Sequence, residues 1–326
     1  MTPRRLSLLA PLAIAAALAF PGLALAQAYP SKTIRLIVPL AAGSTADILS
    51  RTIGNELAKE IGQPVLVENK TGAGGTIAMA ELARAAPDGY TIAFASQGTL
   101  VFNQALYSKP GYDSLKDFAP IVLVGGVSNV MIVPPNSPAK TVMDVIAAAK
   151  AKPGMTFSSG GSGTSHHLSG VLFGQLTGTQ LTHVPYKGAP QGILAVMSGE
   201  VDMGFFNTPT VISQIRDNKL KGLAVTSLGK SELLPQLPTL DASGVKAYEV
   251  NTWFGFVAPA GTPNEAVMKL HASIGKILAL PAVREKLAAQ GFDLAPLQPP
   301  AQFTQLIRDD LAKWPAIVKA SGAKVD

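Results

Sequence analysis

The sequence predicts an α/β protein of two lobes, with a ligand cleft between them and two hinge crossovers. Three observations carry this. Short β-type segments alternate with stretches of helical periodicity and are joined by Gly-rich turns, the pattern of a mainly parallel sheet covered on both faces. Two such series follow one another, each of about 100 to 125 residues, more than one comfortable core holds. Between and after them lie two extended segments, Ile121 to Val130 and Val250 to Val257, placed to carry the chain out of one lobe and back.

The first series begins with a strand over Thr33 to Val38, ended by Pro39. A helix follows in which Ile48, Leu49, Ile53, Leu57 and Ile61 recur near helical spacing. Val65 to Val67 gives a second strand, the Gly-rich run Lys70 to Thr76 a turn, Ile77 to Ala85 a helix, and Thr91 to Ala95 a third strand. The second series takes strands at Val130 to Val133, Met155 to Ser158, Leu181 to Val184, Val201 to Phe205 and Gly222 to Val225. Its helices are expected over Val142 to Lys150, Leu168 to Leu176 and near Ile193 to Met197. Helices over Asn264 to Leu278 and Ala301 to Lys319 close the chain. Thr141 with Asp144, and Thr262 with Pro263 and Glu265, fit capping boxes, and Thr208 before Pro209 reads as a cap. The simplest assembly makes lobe one from residues 27–126 and 251–326 and lobe two from 127–250, with the crossings near Val127 and Asn251.

Two loops carry the functional signal. Pro39-Leu40-Ala41-Ala42-Gly43-Ser44-Thr45 has no bulky or charged side chain and leads into a helix, so it offers backbone N–H groups beside a positive dipole end. Ser158-Ser159-Gly160-Gly161-Ser162-Gly163-Thr164-Ser165-His166 has the same character. Two anion-holding loops imply a ligand gripped from two sides, in a cleft at the carboxyl ends of the strands. Asp47 is expected to cap its helix, while Ser44 and Thr45 fit a capping or a ligand role equally well. The Lys70 to Thr76 turn lacks the order of a P-loop and reads as a tight turn or a further part of the cleft wall, as does Ser96-Gln97-Gly98-Thr99. Adjacent His166 and His167 point about 100° apart on a helix with no acidic cluster nearby, so one is expected to face the cleft and neither to hold a metal. His183 ends a strand, in a core, surface or ligand role.

Composition narrows the class. Arg4 and Arg5, an apolar run from Leu6 to Leu25, and Ala24-Leu25-Ala26 form a secretory signal peptide over residues 1–26. Cleavage there leaves 300 residues from Gln27, and Ala26-Gln27-Ala28 permits a cut two residues later. The chain has no cysteine, so neither disulfides nor thiolate metal sites enter. Without the leader, 25 basic residues face 21 acidic ones, a net +4 that is scattered and does not resemble a nucleic-acid footprint. Lys-Thr-Gly and Ser-x-x-Lys segments raise the possibility of a serine acyltransferase or β-lactamase. However, Lys70-Thr71-Gly72 precedes Ser137-Pro138-Ala139-Lys140 and Ser227-Leu228-Gly229-Lys230, the reverse of the required order, and Ser-Asp-Asn and a strict G-x-S-x-G are both absent.

A resemblance then covers essentially the whole mature chain. It rests on Tyr29-Pro30-Ser31-Lys32-Thr33-Ile34-Arg35, Val38-Pro39-x-x-Ala42-Gly43 with Asp47, and Val67-Glu68-Asn69-Lys70 before Gly72-Ala73-Gly74-Gly75. It continues with Pro87-Asp88-Gly89-Tyr90, Gly161-Ser162-Gly163 with His167-Leu168, His183-Val184-Pro185-Tyr186-Lys187-Gly188, and Gly199-x-Val201-Asp202-Met203. In their order and spacing these resemble the solute receptors of tripartite tricarboxylate transporters, the Bug receptors. The resemblance implies a hinged, periplasmic-binding-protein fold that takes a small organic carboxylate without arginine, cofactor or metal. It also implies a monomer in the periplasm that delivers its ligand to membrane permease subunits. Carried onto matching positions, the ligand contacts are Leu40, Ala41, Ser44, Thr45, Ser96 and Thr99 from lobe one, and Ser162, Thr164, Ser165, His166 and Asn207 from lobe two. Two departures stand out: Ala42-Gly43-Ser44 where many relatives read Ala-Gly-Gly, and Phe205-Phe206-Asn207 where many read Phe-Asp-Asn. A cleft-facing Phe206 suits an aromatic or longer aliphatic acid; a core-facing one says nothing of the ligand. The alternatives are a carboxylate sensor that signals to a membrane kinase and an exported hydrolase.

Overall fold

A computed structural model describes residues 29–231 and 233–320; the signal peptide read over residues 1–26 lies outside them. Strand β1 (Ile34–Val38) leads to α1 (Thr45–Ile61), and β2 (Val65–Asn69) to α2 (Thr76–Ala83). β3 (Thr91–Ser96) passes through a π-helical turn (Gly98–Phe102) into α3 (Asn103–Leu106). The long strand β4 (Phe118–Val133) carries the chain into a second set: α4 (Val142–Ala151), β5 (Met155–Ser159), α5 (Ser165–Thr177), β6 (Leu181–Pro185), α6 (Ala189–Ser198), β7 (Met203–Asn207), α7 (Thr208–Arg216) and β8 (Lys221–Val225). β9 (Asn251–Pro259) returns to the first set, completed by α8 (Asn264–Ala279), α9 (Pro281–Ala289), β10 (Asp293–Leu294) and α10 (Pro300–Ala320).

The strand order is β2-β1-β3-β9-β4-β7-β5-β6, with β8 and β10 also on β4. Within each set the strands are parallel, β1 with β2 and β3, and β5 with β6 and β7. The crossing strands run against them, β9 on β3 and β4, and β4 on β7 and β8, so the sheet is mixed rather than mainly parallel. β4 belongs to both sets. Its first part pairs with β9 as far as Ser128 opposite Asn251, and from Asn129, opposite Asn207, it pairs with β7. Beyond this changeover Thr226 N–H donates to the Asn129 carbonyl at 2.9 Å, and Val250 N–H to the Thr226 carbonyl at 3.0 Å, so both crossing strands are tied at one level.

Alternation along the strands explains why both faces are covered. Leu36 and Val38 enter one core with Phe94, Phe256 and Ile274, while Ile37 enters the opposite one with Met79, Phe102 and Trp314. In the second set Met131 and Phe205 face one core, and Ile132 and Phe206 the other. Each fully buried Phe or Leu contributes about 1.5–3 kcal/mol over its exposed form. Helix starts follow local chemistry. Thr141 and Asp144 form the expected capping box. The other two sites differ: the Thr262 hydroxyl donates back to the Pro259 carbonyl at 2.7 Å, and Asn207 precedes α7 while Thr208 donates to the Ser128 carbonyl at 3.1 Å. In both cases a nearby carbonyl claims the hydroxyl before the helix does.

Candidate functional site

Four strand ends meet, two from each set, and each passes into a helix start. After β1 the loop turns at Gly43, whose φ of 75° suits a residue without Cβ. Ser44 caps α1, accepting from Asp47 N–H at 3.4 Å. Asp47 braces the loop: its carboxylate accepts from Gly43 N–H at 2.9 Å, Arg51 Nε at 2.8 Å and Asn69 Nδ2 at 3.0 Å. After β3, Ser96 and Thr99 bond reciprocally, Ser96 N–H to Thr99 Oγ1 at 3.0 Å and Thr99 N–H to Ser96 Oγ at 3.2 Å. After β5, Thr164 caps α5, accepting from His167 N–H at 3.4 Å and donating to the Gly161 carbonyl at 2.7 Å. After β7, Asn207 receives Thr45 Oγ1 at 3.0 Å on its Oδ1 and gives its Nδ2 to Asn129 Oδ1 at 2.6 Å.

These ends enclose a cavity of about 20 Å³ lined by eight of the predicted residues, Leu40, Thr45, Ser96, Thr99, Thr164, Ser165, His166 and Asn207. Ser162 lies further out, with Leu40, in a cavity of about 580 Å³ that also borders Gly74, Tyr107, Tyr186 and Lys187. Ala41 and Ser44 line neither cavity; Ala41 packs instead where a Cβ on Gly188 would stand 2.5 Å from its own. Of the pair with equal claims, Ser44 takes the cap and Thr45 the cavity. Phe206 is fully buried in a core, its ring 4.8 Å from that of His166 and packed over Gly192 and Gly204.

Among the described residues no charged side chain lines the inner cavity. Gly160 N–H donates to His166 Nδ1 at 3.2 Å, which leaves Nε2–H to donate to Asn207 Oδ1 at 3.0 Å. Burial lowers the His166 pKa to about 4, so the ring is neutral and both nitrogens are already engaged. His167 packs below, accepting from Gly163 N–H at 3.3 Å, and stacks at 3.9 Å on His183, whose Nε2 meets Ser159 Oγ at 2.7 Å. Burial holds these rings down too, His167 to about 4 and His183 to about 3. The electrostatics therefore come from the backbone. The first-turn N–H groups of Thr45 and Ala46 in α1, and of Ser165 and His166 in α5, have no acceptor within their helices, and all four residues line the cavity. Such an arrangement attracts an anion without a cation.

Gly74 and Gly98, in the two runs that the sequence allowed as cleft wall, and Gly163, in the second anion-holding loop, form wall where the two sets touch; sequence reasoning missed Ala46 in α1, and Thr252 and Phe254, which form the floor from β9. The two β9 residues have only their i, i+2 spacing at the second crossing as a signal.

A closed cleft at the carboxyl ends of two α/β sets, presenting helix N-termini, defines the periplasmic binding proteins. The chain belongs to the tripartite tricarboxylate transporter receptor family, TctC, whose sequence model matches residues 49–323. It is similar to the periplasmic binding protein BugD, with 32% identity and a TM-score of 0.87 over 91% of this chain and 99% of that one. It is also similar to Rpa4515 of R. palustris with adipate, at 30% identity and TM-score 0.87, covering 90% of this chain and 98% of that one. A third is MatC of Rhodopseudomonas palustris with bound malate, at 29% identity and TM-score 0.84, covering 89% of this chain and 100% of that one. As a member of this family the protein is a substrate-binding receptor, not an enzyme.

Proposed function

We propose that this receptor captures a small organic carboxylate between residues 27–126 with 251–326 on one side and residues 127–250 on the other, and presents it to membrane permease subunits. Export through a cleavable leader, residues 1–26, places it in the periplasm, where it works as a monomer without cofactor or metal. The observation that carries the reading is the pair of α1 and α5 N-termini directed at one cavity that has no charged wall among the described residues. The two relatives with adipate and malate support an acid of this class. Within the inner cavity Thr45, Ser96, Thr99, Thr164, Ser165 and Asn207 surround the carboxylate, with Thr45 and Ser165 offering main-chain N–H groups because the Thr45, Thr99 and Thr164 hydroxyl protons are spent inside the protein; Leu40 lies against its carbon chain and Ser162 guards the mouth. His166 acts through Asn207, since its own donor is spent there.

A space of about 20 Å³ holds little more than one water, so an acid enters only when the two sides part about the Ser128–Asn129 and Val250–Asn251 crossings. Closing then brings both helix ends onto the ligand, and the ligand stabilises the closed form by its differential contacts. Charge-assisted hydrogen bonds contribute roughly 1.5–3 kcal/mol each, so two or three on each side reach micromolar affinity after the ordering cost. The test is a thermal-shift screen of refolded, ligand-stripped protein against mono-, di- and tricarboxylates. An acid at a hundred times its Kd adds about 2.7 kcal/mol and raises the melting temperature by about 5 °C. No shift with any acid, from folded protein, sinks the carboxylate reading.

A further inference from the structure

The floor of the inner cavity is strand β9, and its cavity-facing residues are Thr252 and Phe254. The Thr252 side chain is buried at 3% exposure, yet its Oγ1 has no hydrogen-bond partner. This is unusual within the site. Thr45 donates to Asn207, Thr99 to the Ser96 carbonyl and Thr164 to the Gly161 carbonyl, so the neighbouring threonine protons are already committed inside the protein. Leaving a buried hydroxyl unpaired is destabilising, and a ligand oxygen that accepts from it removes that cost. The backbone around Thr252 gives no such partner, because its strand pairs with Val127 through main-chain groups.

We propose that Thr252 Oγ1 is a ligand contact, donating its proton to a carboxylate oxygen held between the two helix N-termini. The proposal rests on the carboxylate reading above and adds a third wall to it. Two walls belong to the loops that move relative to each other; this one belongs to the strand that turns between them. Phe254, one step along the same face, lies against the carbon skeleton next to that carboxylate. The ligand is then read at its inner end by the crossing itself, and Thr252 selects for an acid whose head reaches the floor.

Thr252→Val keeps the shape and removes the hydroxyl; Thr252→Ser keeps the hydroxyl. Each is titrated calorimetrically with malate and with adipate beside the unaltered protein, and melted without ligand. Thr252→Val should bind the acid that the unaltered protein takes at least tenfold more weakly. Thr252→Ser should stay within about threefold, and the ligand-free melting temperature of Thr252→Val should be unchanged or higher, since an orphan group is lost. Equal affinity in Thr252→Val overturns the contact. A ligand-free melting temperature several degrees lower also overturns it, because the hydroxyl then serves the fold, and that result needs no ligand. An unaltered protein that binds neither acid is a different failure, seen in its own flat titration; it removes the carboxylate reading for these acids and the Thr252 contact with it.

Discussion

Asn207 shows how much one amide can organise. Its Oδ1 accepts from Thr45 across the cleft and from His166 beside it, and its Nδ2 bonds Asn129 on the crossing strand, which passes its own Nδ2 to Ser169 at 2.8 Å. Removing the amide leaves His166 Nε2–H and Asn129 Oδ1 unpaired at fully buried positions. Asn207→Ala is therefore expected to lower unfolding free energy by about 2–4 kcal/mol and to abolish acid binding, measured by urea titration and calorimetry. A variant that keeps its stability would show that neither partner depends on Asn207. The residues most easily read from sequence were those whose type fits one local job, such as Thr141 with Asp144. Thr252 was not legible, because a hydroxyl within a strand looks like any β-branched residue suited to a pleated surface. Phe206 was ambiguous for a related reason: Phe205 and Phe206 alternate between two faces, and both faces are core.

At the scale of elements, the two sets meet at glycines as well as through the Thr45–Asn207 bond. A Cβ on Gly74 would enter the Ser162 carbonyl, and one on Gly163 would enter Asn103 Oδ1, so both seams close only on bare backbone. Gly74 and Gly163 also have positive φ, which confounds their substitution. Gly188 does not: its φ of 176° is ordinary extended backbone, and its obstacle is Ala41 at 2.5 Å on the other side of the cleft. Gly188→Ala should therefore fold normally and wedge the closed form apart, weakening acid binding about tenfold or more with a melting temperature within about 2 °C of the parent. Undiminished affinity would show that this seam is not closed in the bound state. The loops themselves were legible from their small residues before helical periodicity. Their partners across the seam were not, because the sequence separation of Gly74 and Ser162 leaves no local pattern. The mixed sheet was missed similarly: an isolated extended segment carries no sign of its direction, and β4 and β9 run against the parallel sets.

For the whole molecule, three imidazoles whose protonation burial disfavours set a pH limit. His166, His167 and His183 are held below the usual 6.5, so the folded form binds fewer protons than the unfolded one as pH falls. Their stabilising contribution is complete above about 6.5 and is lost progressively towards pH 4, at about 2–3 kcal/mol each for His166 and His167. Among the described residues four carboxylates are held low, Glu81 by Lys70, Asp144 by backbone N–H groups, and Glu60 and Asp113 as well, and they act only below the ordinary carboxylate range of about 4–4.5. Urea midpoints should thus be level from pH 7 to 8 and decline between 6.5 and 5; a level midpoint down to pH 5 would mean the rings titrate normally. The grip on the ligand follows another rule. In the proposed grip the positive ends are peptide groups at helix starts, and among replacements only proline removes the N–H that a peptide group offers there. Descendants of such a chain can exchange wall and floor residues to suit a new acid while the preference for anions persists, so selectivity drifts freely and charge preference does not.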